Sequence, residues 1–276
     1  MEIKSSADFV RMTRAALTGA GFVRHEVDGT VYFQSSFSPR RGEKVPQADE
    51  GSIVFVHGAN DQAGTWFTVA PTIAQMRRVI IPDLPGHGES APASGPLPIS
   101  LIAQRLAAVI DHAAPTQRIT LVGNSLGGWM ALLYALQYPE RVTQLVLESS
   151  GGLSRPLSSP LTAQTRGEAL QILSAVHGPR YEPQDWVVDA LLQRAKGSPM
   201  LRLTELLEHD IEPRLGQIKS PATLIWGADD GVVPLSYGEA LRDALPNATM
   251  CVIEGAAHIA HMQQPRRFLE CLTAIS

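Results

Sequence analysis

Residues 118–138 read RITLVGNSLGGWMALLYALQY. The opening RITLV is a short apolar run of strand length, and LGGWMALLYALQY is long and apolar enough for a buried helix. Between them Gly123-Asn124-Ser125-Leu126-Gly127 makes a G-x-S-x-G pattern, weak by itself and informative only because a strand precedes it and a helix follows. The glycines have a mechanical reason. A helix leaving so sharp a turn must pass close beneath the strand, and a Cβ at Gly123 or Gly127 would obstruct it. Ser125 is then expected in a strained, exposed turn at a helix N-terminus, where amide hydrogens and the macrodipole favour developing negative charge.

Outward from this segment the same texture repeats. SIVFVHG (52–58), RRVIIPD (77–83), VTQLVLES (142–149), PATLIWG (221–227) and ATMCVIEG (248–255) read as buried parallel strands. Between them lie the helical stretches ISLIAQRLAAVIDHA (99–113) and YGEALRDAL (237–245), an alternation that predicts an α/β fold with helices on both faces of a mostly parallel sheet. From Gly152 to Arg214 amphipathic helical pieces occur without a convincing strand, so residues 152–214 are expected to form a helical cap. Residues 1–151 and 215–276 would form the core. Within 1–51, helical spacing of Phe9, Val10, Thr13, Ala16 and Leu17 predicts a first helix. FVRHEV and TVYFQSSF around Asp28-Gly29 then predict a hairpin. The polar stretch 39–51 reads as an exposed loop. Whether the helix and hairpin serve a homodimer or cover a sheet edge is left open.

Composition narrows the function. The 276 residues are 44% hydrophobic and 18% charged, enough apolar material for a large core. A net charge of −4 without a Lys/Arg cluster argues against a nucleic-acid partner. Neither a signal-peptide pattern nor a run approaching ~20 apolar residues is found, so a cytoplasmic address without membrane association is expected. Cys251 and Cys271 have no CxxC spacing and read as buried apolar positions. No metal or cofactor is called for.

A serine hydroxyl needs an adjacent base, and the base a partner that sets its tautomer. Of His177, His209, His258 and His261 downstream of Ser125, the last pair follows a strand-like run near the C-terminus. Four further motifs now complete a resemblance. His57-Gly58-Ala59, Asp83-Leu84-Pro85-Gly86-His87-Gly88-Glu89-Ser90, WGADDGVVP (226–234) and GAAHIAHMQQP (255–265), taken with the serine turn, resemble the α/β-hydrolase fold superfamily from about Ser52 to the C-terminus.

That resemblance implies a nucleophile, acid, histidine order. It assigns Ser125 as nucleophile, His258 as base and Asp230, four residues before Pro234, as acid. Asp229 and Glu148 compete for the acid, and His261 for the base. The backbone amides of Ala59 and Leu126 would stabilise the oxyanion. Asp83 and His87 would hold their loop as scaffold. His57, Trp129, Tyr181, Trp186 and Arg194 are candidates for the substrate pocket, with ordinary burial as the bland alternative for each.

The resulting expectation is a cofactor-independent serine hydrolase of a small or medium carboxylic ester, thioester or lactone. GNSLGG and YEPQDWVVDALLQRA (181–195) also resemble the meta-cleavage-product C–C hydrolases, in which Arg194 would match a substrate-contacting arginine. Ile259 replaces the tryptophan that usually follows their histidine, and HGAND lacks their glycine-rich oxyanion loop. C–C hydrolysis is therefore the runner-up. A non-catalytic ligand receptor on the same fold is the alternative from another class.

Overall fold

In the computed structural model, which describes residues 3–36, 51–195, 197–206 and 208–273, the apolar runs assemble into one eight-stranded sheet. Helix α1 (Ser6–Gly19) begins where the Ser5 hydroxyl accepts the Asp8 N–H, a cap its Ser-x-x-Asp sequence supplies. Strands β1 (Phe22–Val27) and β2 (Thr30–Ser35) are antiparallel. Asp28 at φ +48° and Gly29 at φ +74° provide the two left-handed residues their turn requires. The loop expected over 39–51 lies, except for Gly51, outside the described residues.

Thereafter strands and helices alternate: β3 (Ile53–Val56), α2 (Ala70–Ile73), β4 (Val79–Pro82), β5 (Leu97–Pro98), α3 (Ile99–Ala113), β6 (Ile119–Asn124), α4 (Leu126–Gln137) and β7 (Val142–Glu148). A largely helical excursion then holds α5 (Arg166–His177), α6 (Asp185–Ala195) and β8 (Leu203–Thr204). The chain returns through β9 (Ala222–Gly227), α7 (Leu235–Ala244), β10 (Ala248–Ile253), α8 (Ala260–Gln263) and α9 (Pro265–Thr273). Strand β8 corrects the strandless reading of the excursion. It makes a two-residue parallel ladder with β5, too short to leave a period in the sequence.

The strand order is β1-β2-β4-β3-β6-β7-β9-β10. From β4 to β10 every junction is parallel, while β2 pairs antiparallel with β4. The hairpin thus covers what would be the open edge of β4. Alternation along each strand splits the core in two. Val54, Val56, Leu121, Leu145, Leu147, Leu224 and Trp226 pack against α3, α4 and α7, and Ile53, Phe55, Val122, Val146 and Ile225 face the side of Trp66 and Phe268. Burial on both faces explains why these strands read as unbroken apolar runs. Each fully buried Leu, Ile, Val or Phe contributes on the order of 2 kcal/mol.

The loop 83–90 is a fastening. Buried Asp83 accepts the N–H groups of Ala63 (2.6 Å) and Glu89 (2.9 Å) and pairs with Arg14 of α1 (3.3 Å). Ser90 donates to the Asp83 carbonyl (2.6 Å) and accepts the Val31 N–H of the hairpin (2.8 Å).

The reading of both cysteines as buried apolar positions is corrected. Strand β10 and helix α9 bring the Cα atoms of Cys251 and Cys271 to 6.1 Å, within bonding range, and the two form a disulfide. Among the described residues no helix is long and apolar enough to cross a membrane.

Candidate active site

The site starts from one strained residue. Ser125, between the last residue of β6 and the first of α4, has φ +52° and ψ −115°, a region a non-glycine residue enters only when its surroundings enforce it. The enforcement is visible. Its N–H donates to the Glu148 carbonyl (3.0 Å), and its own carbonyl accepts the N–H groups of Gly128 (3.0 Å) and Gly151 (3.1 Å). A Cβ built on Gly127 would overlap the carbonyl oxygen of Val56, and one on Gly123 that of Gly127, so helix and strand approach as closely as the glycines allow. Gly58 lies alongside: a Cβ there would sit 3.3 Å from that of Ser125. The Gly58-Ala59 backbone therefore borders the serine, as does Leu126, whose amide belongs to a first helical turn with no intrahelical acceptor. Ser125 remains half-buried, not sealed.

Loops after two neighbouring strands supply the other polar groups. Asp230, following β9, accepts the N–H groups of Val232 and Val233 on Oδ1 (2.9 Å each) and the Nδ1–H of His258 on Oδ2 (3.0 Å). Asp229 is exposed, and its N–H is bound to the Ala256 carbonyl (2.9 Å). Asn124, the neighbour of Ser125, donates through Nδ2 to the carbonyl of His258 (2.9 Å), which ties the histidine segment to the serine turn. Burial alone would push the His258 imidazole down. The Asp230 charge and hydrogen bond, aided by the Glu148 charge, outweigh it and hold its pKa above the ordinary value.

Glu148 and His261, the competing acid and base, pair with each other and not with this site. Glu148 Oε2 accepts the Nδ1–H of His261 (2.7 Å), and Oε1 accepts its backbone N–H (2.8 Å). Both side chains are fully buried, so the carboxylate is not available as the acid of the Ser125 site. The strand's alternation could not reveal this, because the histidine that buries the carboxylate is far along the chain.

The pocket candidates separate. His57 is corrected: its Nε2 accepts the Leu84 N–H (2.9 Å) and its Nδ1–H donates to the Gly58 carbonyl (2.7 Å), leaving no nitrogen for a ligand in a wholly buried ring. His87 is likewise buried, with Nδ1–H donating to the Pro85 carbonyl (2.9 Å). Burial, with the His57 ring beside it, lowers its pKa to about 3. Trp129 packs partly buried on the core, and Trp186, also half-buried, donates to Gln184. Arg194 is exposed and donates from Nη1 to the Asn60 carbonyl (2.6 Å), beside the Gly58-Ala59 segment. Tyr181 stacks on His177 with ring centroids 4.2 Å apart.

His177 is the residue the sequence reading passed over. Burial lowers its pKa to about 4, with the Asp61 charge opposing and the His258 charge assisting, so it stands electrostatically between the loop after β3 and the histidine loop. Its place as the last residue of an amphipathic helix, followed by Gly178, was the available signal.

The chain as a whole is similar to known proteins. The model of the alpha/beta hydrolase family matches residues 53–270. The chain is 30% identical over 246 residues to the 2-hydroxy-6-oxo-6-phenylhexa-2,4-dienoate hydrolase of Burkholderia cepacia, covering 79% of this chain and 84% of that one. A solved N-acyl homoserine lactone degrading enzyme superposes with a TM-score of 0.71 at 26% identity, covering 92% of this chain and 100% of the other. The carboxylesterase CesB of Bacillus subtilis shares the fold at a TM-score of 0.68 and 16% identity, over 96% and 98% of the two chains.

Proposed function

The chain belongs to the alpha/beta hydrolase family, and we propose that it is a cofactor-independent serine hydrolase cleaving a small or medium carboxylic ester, thioester or lactone. The observation that carries this reading is the 3.0 Å Asp230–His258 pair tied through Asn124 to the strained turn of Ser125. Asp230 fixes Nδ1 of His258 as the protonated nitrogen and leaves Nε2 to take the Ser125 proton. Ser125 Oγ bonds to the acyl carbon while the carbonyl π electrons move to oxygen. The oxyanion is received by the amides of Leu126 and Ala59. The imidazolium then protonates the departing oxygen or sulfur as its bond to the acyl carbon breaks. Water, deprotonated by the same imidazole, hydrolyses the acyl-enzyme, and Ser125 recovers its proton. Residues 1–151 and 215–276 act as the catalytic core. Residues 152–214 act as a cap, whose Tyr181 and Trp186, together with Trp129 from α4 of the core, offer apolar surface to the acyl or alcohol group.

A second reading is favoured by one finding, the 30% identity to a dienoate hydrolase. Cleaving a carbon–carbon bond requires the site to protonate a carbon leaving group. Here Ile259 stands beside the histidine, and Arg194 has one of its donors committed to Asn60. The ester reading needs nothing beyond the groups already named.

A panel of p-nitrophenyl esters, thioesters, lactones and a vinylogous diketone, run on wild type and Ser125→Ala, tests this. Rapid Ser125-dependent ester or lactone turnover is expected, with a fluorophosphonate adduct on Ser125. Efficient diketone cleavage with feeble ester turnover would promote the second reading. Absence of an adduct on folded protein would favour a non-catalytic receptor.

A further inference from the structure

We propose that Glu148 is a positioning residue, whose buried carboxylate clamps His261 and so fastens the segment carrying His258 to the serine turn. The proposal rests on the reading of Ser125 and His258 given above. Glu148 ends β7, and its backbone already holds the turn, since its carbonyl accepts the Ser125 N–H (3.0 Å). Its side chain reaches the other way and grips His261 twice, at the backbone N–H (2.8 Å) and at Nδ1 (2.7 Å). His261 is three residues beyond His258, and its remaining groups are also occupied. Thr65 Oγ1 lies 3.0 Å from Nε2, the Thr68 hydroxyl donates to its carbonyl (2.8 Å), and the Trp66 ring packs on the imidazole in a tilted arrangement with centroids 4.2 Å apart.

The order hydroxyl, imidazole, carboxylate in Thr65, His261 and Glu148 repeats the connectivity of a catalytic triad. All three residues are wholly buried, however, so no substrate reaches the hydroxyl. What remains is mechanical and electrostatic. A buried carboxylate is costly unless its oxygens are satisfied, and here both are satisfied by one residue of the histidine segment. Any displacement of that segment therefore strands a charge. The same charge favours the imidazolium of His258. The other groups acting on that ring are Asp230 from the loop after β9 and His177 at the end of α5, the latter itself under the charge of Asp61 from the loop after β3.

The test is the pH dependence of Ser125 labelling by a fluorophosphonate, followed in wild type, Glu148→Gln and His261→Gln, with thermal midpoints recorded alongside. Glu148→Gln removes the charge and replaces the oxygen that accepts the His261 Nδ1–H by an NH2 group, so that the clamp keeps only its backbone N–H contact. It should lower the high-pH labelling rate by roughly tenfold, through misplacement of the base, and move the midpoint to acid, since the Glu148 charge favours the imidazolium. His261→Gln keeps the charge and should slow labelling without an acid shift. A packing role alone would lower both thermal midpoints and leave both labelling midpoints at the wild-type pH, which overturns the proposal, as does wild-type behaviour in both variants. If Glu148→Gln does not fold, Glu148→Asp takes its place. Slower labelling at an unmoved midpoint is then expected, and wild-type labelling sinks the idea. Failure of the wild type itself to label at Ser125 strikes the functional reading instead, and is distinguishable from a wild type that labels beside unaffected variants.

Discussion

The backbone N–H of His258 donates to the carbonyl of Val176 at 3.1 Å, joining the histidine loop to the last turn of α5. The neighbouring bonds make this a system. A helix leaves its last four carbonyls without intrahelical partners. In α5 Ser174 receives the Gly178 N–H (2.8 Å), Ala175 the Gly231 N–H (3.0 Å), Val176 the His258 N–H and His177 the Gln263 side-chain amide (2.7 Å). Two of the four carbonyls are thus satisfied by the loops that bear Asp230 and His258, and a third by Gln263 of α8, just beyond the histidine loop. The negative end of the helix dipole is also directed at an imidazole that must become positive during turnover. The α5 end of the excursion is therefore bound to the core and positions the loops on which it rests.

The pH profile follows from the His258 environment. Its pKa in the folded protein is raised above the ordinary histidine value near ~6.5, and the base must be neutral to accept a proton. The labelling rate of Ser125 should accordingly rise with pH through a midpoint above ~6.5. A midpoint well below that value would contradict the dominance of the carboxylates over burial.

Asp230→Asn should reduce turnover by roughly 10⁴-fold, because the amide presents the wrong group to Nδ1 and the imidazole loses its orienting charge. Oδ1 survives to hold the Val232 and Val233 amides, so the fold should persist by circular dichroism. Asp229→Asn, at an exposed side chain, should cost less than twofold. Reversal of these two effects in steady-state kinetics would reassign the acid.

Gly127→Ala should destabilise the protein by about 1–3 kcal/mol or prevent folding, because its Cβ meets the Val56 carbonyl, a backbone atom that cannot rotate away. Gly197→Ala, with open space around it, should cost less than about 1 kcal/mol. Denaturant melts showing equal losses would remove the close-approach argument.

Acid should unfold the protein partly through His87. Its folded pKa of about 3 lies below the unfolded value, so its contribution is complete above the unfolded pKa near ~6.5 and is lost as pH falls towards 3. His177, lowered to about 4, acts in the same direction. Each contributes up to about 1.4 kcal/mol of stability per pH unit in that window. In His87→Gln the decline of stability between pH 6.5 and 4 should be visibly flatter. An unchanged slope would mean that the ring is protonated in the folded state.

The sequence by itself determined the strands of the main sheet, its principal helices and the serine turn, but not the two-residue strands β5 and β8, since the former depend on local period and on glycines whose reason is steric. RITLV and LGGWMALLYALQY became β6 and α4, and Asp28-Gly29 became a left-handed turn. The resemblance of its loops to a family also named Asp230 and His258, which the fold brings to 3.0 Å. Tertiary structure alone decided which buried polar groups partner one another. Glu148 looked like a rival acid until His261, 113 residues away, took both its oxygens. His57 stood between a pocket role and a buried turn until Leu84 and Gly58 used its ring. Cys251 and Cys271 looked like separate apolar positions until β10 and α9 brought their Cα atoms to 6.1 Å. Local propensity is written within a few residues of chain. Hydrogen-bond satisfaction is a property of distant segments packed together, and it has no period for a sequence to display.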